Sequence, residues 1–218
     1  MPAGGVRSGR GRGGACGTLS RGTRTMGMLE MIGSLWLAVV AATFVVWIAS
    51  FVLWAVLPWH HREIKKTPDR EAFDVAVRAL DLRPGFYMEP QATADETMKS
   101  ESFQRRYADG PWVTVNVMPA RPSMGKNMIL TVLVFGVVNV LIAYLAGSTL
   151  EPGAPYMEVF RVTCVAAVLA YTFGGIANGI WFGKPTGWAI KDVIDAGIYA
   201  SLTAGVFAWQ WPAAAVVA

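Results

Sequence analysis

The sequence predicts an all-α membrane protein with four transmembrane helices and a small α+β polar insert between helices 1 and 2. Long apolar stretches occupy residues 31–58, 128–150, 159–182 and 193–211. A helix of roughly 20 apolar residues crosses a hydrocarbon core of about 30 Å, and each stretch has about that length. Hydrophobic residues make up 54% of the chain and charged residues 16%. The interpretation divides the chain into helix 1 (28–58), the insert (59–127) and helices 2 to 4 (128–218).

Residues 1–27 form a basic tail that we predict to be disordered, because Gly and Ser are frequent and no apolar periodicity is present. Much of the net charge of +4 comes from its arginines, Arg7, Arg10, Arg12, Arg21 and Arg24. Met26, Met28 and Met31 directly precede the first span, so a start codon assigned too far upstream would explain the tail. The alternative is a transit peptide or a cleaved signal peptide. The apolar run is too long for one, which favours an uncleaved anchor helix.

Tryptophans and a proline mark the end of the first span. Trp54 and Trp59 are placed to form an aromatic belt at one membrane surface, and Pro58 is a natural helix stop.

The insert contains signals for two short helices and a ribbon. Thr67 before Pro68 suggests an N-cap for an amphipathic helix, and a second polar helix is expected from about Asp95 to Tyr107. Residues 112–118 alternate between apolar and polar side chains and are rich in β-branched residues, a pattern that predicts a strand. A lone strand needs a partner, and residues 86–88 could supply it.

Positive charge predicts the orientation. The insert holds eleven lysines and arginines, whereas the opposite side keeps only Arg161 once the tail is discounted. Because positive residues concentrate on the cytoplasmic side, we expect the insert in the cytoplasm and both termini outside.

Small and polar residues within the spans predict helix packing. Gly175, Gly179 and Gly183 recur every four residues, a pattern typical of helices that approach closely in lipid. They could serve packing within the bundle, which is the more common case, or a dimer interface. Asn178 and Asn139 could form interhelical hydrogen bonds worth roughly 0.6 to 2 kcal/mol each.

The adjacent His60 and His61 are the candidate ligands for a haem or chlorophyll. Neighbouring helical positions point about 100° apart, so both could not serve one axial site. The more common interpretation is a solvated pair at the membrane surface, and we expect no cofactor. We expect no disulfide, because Cys16 is in the polar tail and Cys164 is within the third span. The sequence also has no metal-ligand pattern.

Asp192 and Asp195 lie at the mouth of the fourth span, where a carboxylate suggests an ion path. The alternative is structural: both acids would stabilise the helix N-terminus, and Lys191 would pair with Asp195 at i, i+4.

Several segments together resemble one protein group. They are VLPWHH (56–61), PGFYMEP (84–90), MKSESF (98–103), VFR (159–161), IWFG (180–183) and TAGVF (203–207). With them, residues 28–212 are similar to a group of bacterial inner-membrane proteins that carries no assigned function. The resemblance implies a four-span architecture in the bacterial inner membrane and brings no activity.

The residue patterns favour a non-enzymatic function. No HExxH helix or other catalytic motif stands out, and beyond the tail the charge is nearly balanced, which argues against nucleic acid as a partner. We first expect an accessory subunit of a larger membrane complex, such as a respiratory or photosynthetic one, or a homo-oligomer. The alternative is a small transporter or channel that uses Asp195, Asn178 and Asn139.

Overall fold

The structure, a computed structural model, describes Glu30 and residues 33–214. Its elements are α1 (Trp36–Phe51), α2 (Arg70–Ala79), β1 (Gly85–Glu89), α3 (Glu101–Asp109), β2 (Val113–Val117), α4 (Met124–Thr149), α5 (Tyr156–Trp181) and α6 (Thr186–Trp209). A π-helical turn, Val52–Val56, continues α1 directly. The basic tail, its predicted disorder and Cys16 lie outside the described residues.

Three of these helices are long and apolar enough to cross a membrane: α1 with its π-helical turn, α4 and α5. The chain is therefore mostly helical with the apolar helices expected of a membrane protein. The fourth apolar stretch is also helical, since α6 runs over 24 residues. Its first half carries Lys191, Asp192 and Asp195, which makes it the most polar of the four long helices.

The four long helices pack through small residues and expose large ones. Alanines fill the core, among them Ala38, Ala42, Ala143, Ala167, Ala200 and Ala204. Large apolar side chains such as Leu37, Phe44, Ile129 and Leu133 point outward. Helices in lipid gain little from burying large apolar side chains, whereas small residues let their backbones approach closely. This inverted arrangement suits a bundle surrounded by lipid.

The two short helices of the insert begin at side-chain caps. Asp69 accepts a hydrogen bond from the Ala72 amide and caps α2, so the prediction of Thr67 as the cap is wrong. Ser100 caps α3 through the Phe103 amide, and this helix begins later than predicted. In the first turn of α3, the Ser102 hydroxyl donates to Glu96 at 2.6 Å, and this bond holds the pKa of the Glu96 carboxyl below its ordinary value.

The predicted ribbon is confirmed. β1 and β2 pair antiparallel, with Tyr87 opposite Val115 and Gly85 opposite Val117. Phe86 then meets Phe182 edge to face, with 5.1 Å between ring centroids. Because Phe182 directly follows α5, this contact places the ribbon at the end of the bundle where α1 and α5 finish and α4 and α6 begin.

Candidate polar site in the bundle

His60 is buried where the chain leaves α1. The π-helical turn ends with the Leu57 amide bonded to the Val52 carbonyl, and residues 57–63 then fold back over the bundle. This places the fully buried His60 Nε2 2.7 Å from Asp195 Oδ2. Asp195 is the tenth residue of α6 and is only 3% exposed. Two residues 135 positions apart therefore form a buried hydrogen-bonded pair.

Aromatic rings enclose this pair. Trp54, from the π-helical turn, lies parallel to the His60 ring with 3.8 Å between centroids. Trp188, from the first turn of α6, lies 6.4 Å from the His60 centroid and 6.0 Å from that of Trp54. Because His60 and Asp195 are buried beside these rings, their hydrogen bond lies in a low-dielectric environment, where it is electrostatically stronger.

An ion pair holds the turn after α1 against α6. Lys191 Nζ lies 2.7 Å from Glu63 Oε1 and donates to the Trp59 carbonyl, also at 2.7 Å. Gly187 makes room for the carboxylate, because a Cβ at this position would lie 3.0 Å from Glu63 Oε1. The turn that carries His60 is thus tied to α6 on both sides of the histidine.

Buried polar side chains continue inward from Asp195. Tyr199 and Thr203 follow it at intervals of four residues and so share one face of α6. Tyr171 of α5 meets the Tyr199 ring at 5.8 Å between centroids. Thr203 and the amide of Asn139 both neighbour the Tyr171 hydroxyl.

This series of buried polar side chains extends to α1 and reaches it near the middle of the helix. Asn139 Nδ2 donates to the Phe135 carbonyl at 2.9 Å and to Thr43 Oγ1 at 3.3 Å. Thr43 in turn donates to the Val39 carbonyl. All four long helices therefore contribute to what we call the polar path: His60, Asp195, Tyr199, Tyr171, Thr203, Asn139 and Thr43.

Several atoms of the polar path lack a hydrogen-bond partner of ordinary geometry among the described residues. They are His60 Nδ1, Asp195 Oδ1, the Tyr199 and Tyr171 hydroxyls, Thr203 Oγ1 and Asn139 Oδ1. Buried polar atoms in proteins are nearly always hydrogen bonded, and internal water commonly supplies the bonds that side chains do not. The clustering of these atoms in one line makes internal water the natural partner.

The other half of the bundle interior is closed by apolar side chains. Leu35, Val159 and Phe207 are fully buried there, and Ile142 is nearly so. Thr163 lies in this half but bonds to the Val159 carbonyl of its own helix. The polar path thus begins at the end of the bundle that carries the insert and stops near the middle.

Three sequence-based expectations about this site are wrong. His61 is exposed, but His60 is buried, so the two are not a solvated pair. Asp195 does not stabilise the start of a helix, since α6 begins at Thr186 and its first turn has no acid. Lys191 pairs with Glu63 rather than with Asp195, because the turn after α1 brings a carboxylate within reach.

The remaining predicted residues lie in different places. Asn139 is within the polar path, whereas Asn178 is exposed on α5. A Cβ on Gly175 would lie 3.5 Å from Asp192 Oδ2, and one on Gly179 3.7 Å from Lys184 Cβ. Both glycines therefore face the polar start of α6 and the loop before it. Gly183 follows the helix, where its φ of +68° reverses the chain.

Sequence reasoning missed Trp54, Tyr199, Tyr171 and Thr203 as site residues. One signal was available: Asp195, Tyr199 and Thr203 form a polar stripe at helical spacing in an otherwise apolar segment. The partners from the other helices have no such signal, because only the packing of the bundle brings them together.

In comparisons with known proteins, no family model, curated protein or solved structure matches the chain. The site must therefore be interpreted from its own chemistry. Across the described part of the chain, no group of three or more His, Cys, Asp or Glu side chains is arranged to hold a metal ion.

Proposed function

We propose that the chain is a non-enzymatic, four-span protein of the bacterial inner membrane that carries protons along its polar path. The membrane assignment draws on three apolar helices and on their outward-facing large side chains. For α6 as the fourth span, the support is its length: 24 residues extend about 36 Å at 1.5 Å per residue. The charge distribution supports a cytoplasmic insert.

The observation that carries the proton proposal is the buried His60–Asp195 pair, with its 2.7 Å hydrogen bond and the line of unpaired polar atoms beyond it. An ionisable pair within a membrane bundle is costly and is usually functional. An imidazole can accept a proton at one ring nitrogen and donate one from the other, and hydroxyls bridged by water can relay protons.

Protons fit this site better than metal cations do. A dehydrated cation needs several oxygen ligands, typically six or more for Ca²⁺. The polar path offers one carboxylate, and His60 is already engaged with it. A proton needs only one acceptor at a time, which this arrangement supplies.

The apolar closure of the opposite half implies a second conformation. In many transporters the site is near the middle of the membrane and opens to one side at a time. The polar path ends at Asn139 and Thr43, near the middles of α4 and α1. Transport would require α6 or α1 to move so that Asn139 gains access to the outer side.

Proton flux into vesicles tests this proposal. The purified chain would be reconstituted in phosphatidylcholine vesicles that contain a pH-sensitive dye, and a pH step would be applied with valinomycin and K⁺ to balance charge. We expect Asp195→Asn to lower the flux at least tenfold, because it removes the buried carboxylate. The control is Glu158→Gln, which neutralises an exposed carboxylate in the first turn of α5, at the end of the bundle opposite His60. Flux equal to that of empty vesicles, or unchanged by Asp195→Asn, would refute the proposal.

Assembly with other membrane subunits, or with itself, is a second candidate function. It is favoured by two successive exposed glycines on α5, Gly174 and Gly175, of which Gly174 has nothing within 4 Å of an added Cβ; Gly197 on α6 is a single, half-buried glycine. Such bare backbone suits close approach of another helix. Gly174→Leu should then reduce the particle mass in mild detergent, whereas Gly197→Leu, at another open helical glycine, should not. An unchanged mass for both would argue against assembly through this face.

A further inference from the structure

The helix α2 of the insert has one apolar face and one charged face. Its apolar side chains recur at intervals of three or four residues and so share one face. They are Ala72, Phe73, Ala76, Val77 and, directly after the helix, Leu80. The charged side chains share the opposite face and are Arg70, Glu71, Asp74 and Arg78. A helix divided in this way is typically covered on its apolar side.

The described part of the chain leaves this apolar face largely uncovered. Phe73 is 50% exposed and Leu80 is 61% exposed. Val77 is the one half-buried side chain of α2, and no residue of the helix is buried. The other short helix of the insert differs, because α3 buries Phe103. A contiguous apolar patch that stays exposed usually marks an interaction surface.

Two contacts hold the ends of α2 near one end of the bundle. Before the helix, Glu63 pairs with Lys191 of α6, and after it Phe86 packs on Phe182 at the end of α5. The chain from Glu63 to Arg70, and from Ala79 to Phe86, spans at most about 25 Å even when fully extended. Since α1 and α5 end and α6 begins at this end of the bundle, α2 lies beside the membrane surface.

Two adjacent lysines precede α2. Lys65 and Lys66 are both exposed, and neither forms an ion pair with an acid among the described residues. Within α2 itself, two arginines balance two acids, so the lysines supply the positive charge of this region. Lysines next to a membrane attract anionic phospholipids.

We propose that α2 lies in the membrane surface, with its apolar face against the lipid chains and with Lys65 and Lys66 on anionic phospholipid headgroups. Amphipathic helices with this division of side chains bind membranes in this orientation. A protein partner fits the face less well. Ten residues extend about 15 Å, and one face of that length offers far less than the roughly 800 Å² per partner of a stable interface. The proposal does not depend on proton transport, because α2 lies apart from the polar path.

A fluorophore on each face of α2 tests the proposal. Cys16→Ser and Cys164→Ala remove the native thiols, and one cysteine is introduced by Ala76→Cys or, as the matched control, by Asp74→Cys. The two positions are both exposed and lie on opposite faces. Each full chain would carry the environment-sensitive NBD label, with one protein molecule in each nanodisc of phosphatidylcholine and phosphatidylglycerol.

We expect the label at residue 76 to emit about 10 nm or more to the blue of the label at residue 74. Lipids with a nitroxide on the acyl chain should quench it at least about twofold more strongly, because the apolar face enters the lipid. Equal emission and equal quenching at the two positions would overturn the proposal. Blue-shifted emission without lipid quenching would also overturn it, in favour of a protein occupant.

The lysines are tested with the label at residue 76. Lys65→Gln combined with Lys66→Gln should lower the quenching in phosphatidylglycerol nanodiscs to the level found in pure phosphatidylcholine. The control combines Lys99→Gln with Arg105→Gln, two exposed positive positions elsewhere in the insert, and should leave the quenching unchanged. Quenching that depends neither on phosphatidylglycerol nor on the two lysines would overturn the assignment to an anionic surface.

Discussion

The His60 imidazole lies flat against the Trp54 indole, with 3.8 Å between ring centroids and 3° between ring planes. Stacking leaves the edge of the imidazole free, and this edge is where Nε2 meets Asp195. Trp54 is held in place by the π-helical turn, a feature that is often found at functional sites. The indole thus sets the plane of the histidine, and the carboxylate sets its direction.

Removing this stacking surface should destabilise the bundle. We expect Trp54→Leu to lower the free energy of unfolding by about 1 to 3 kcal/mol, because it removes ring contacts and opens a space beside a buried polar group. Trp209→Leu is the control, since Trp209 is 79% exposed, and its effect should stay within about 0.5 kcal/mol. Unfolding would be followed by far-ultraviolet circular dichroism in detergent. Equal effects would mean that Trp54 is not a structural support.

The His60–Asp195 pair should show strong energetic coupling. Either His60→Leu or Asp195→Leu leaves an unpaired polar group in the interior, at a cost of about 1 to 3 kcal/mol. The double variant removes both groups, so it should be less destabilised than the sum of the two by more than about 1 kcal/mol. Additive effects in a denaturant double-mutant cycle would contradict the pairing.

The ion pair between Lys191 and Glu63 should protect the turn after α1 from proteolysis. Both side chains are mostly buried, with 15% and 21% exposure, and Lys191 also bonds to the Trp59 carbonyl. We expect Lys191→Met to increase the rate of cleavage within residues 57–69. Arg105→Met is the control, because the Arg105–Glu101 pair is 72% and 92% exposed and contributes little. Equal rates of cleavage within residues 57–69 for the two variants would show that the ion pair does not protect this turn.

The contact between Phe86 and Phe182 should hold the ribbon on the end of α5. An edge-to-face pair contributes about 0.5 to 1.5 kcal/mol, so Phe86→Ala should speed amide exchange in β1 and β2 by roughly two- to tenfold. Val75→Ala, at an exposed position of α2, should leave the exchange unchanged. Hydrogen exchange read by mass spectrometry measures both. Unaltered exchange in Phe86→Ala would show that other contacts hold the ribbon.

The helices and strands that could be predicted from the sequence are those whose formation depends on residues close together in the chain. Apolar length specifies α1, α4 and α5, because every backbone group in lipid must bond within its own segment. Alternation specifies β2, and the need of a strand for a partner points to β1. The boundaries were less certain, as the caps at Asp69 and Ser100 show, since several polar residues compete for each cap.

The sequence by itself determined that this protein has long apolar helices, a polar insert with a ribbon, and polar groups at Asp195 and Asn139. Only the tertiary structure decided that His60 is buried against Asp195, that Lys191 turns to Glu63, and that Asn139 reaches Thr43. These partners lie 135, 128 and 96 residues apart. Their meeting depends on how four helices pack around small side chains, which local patterns do not encode.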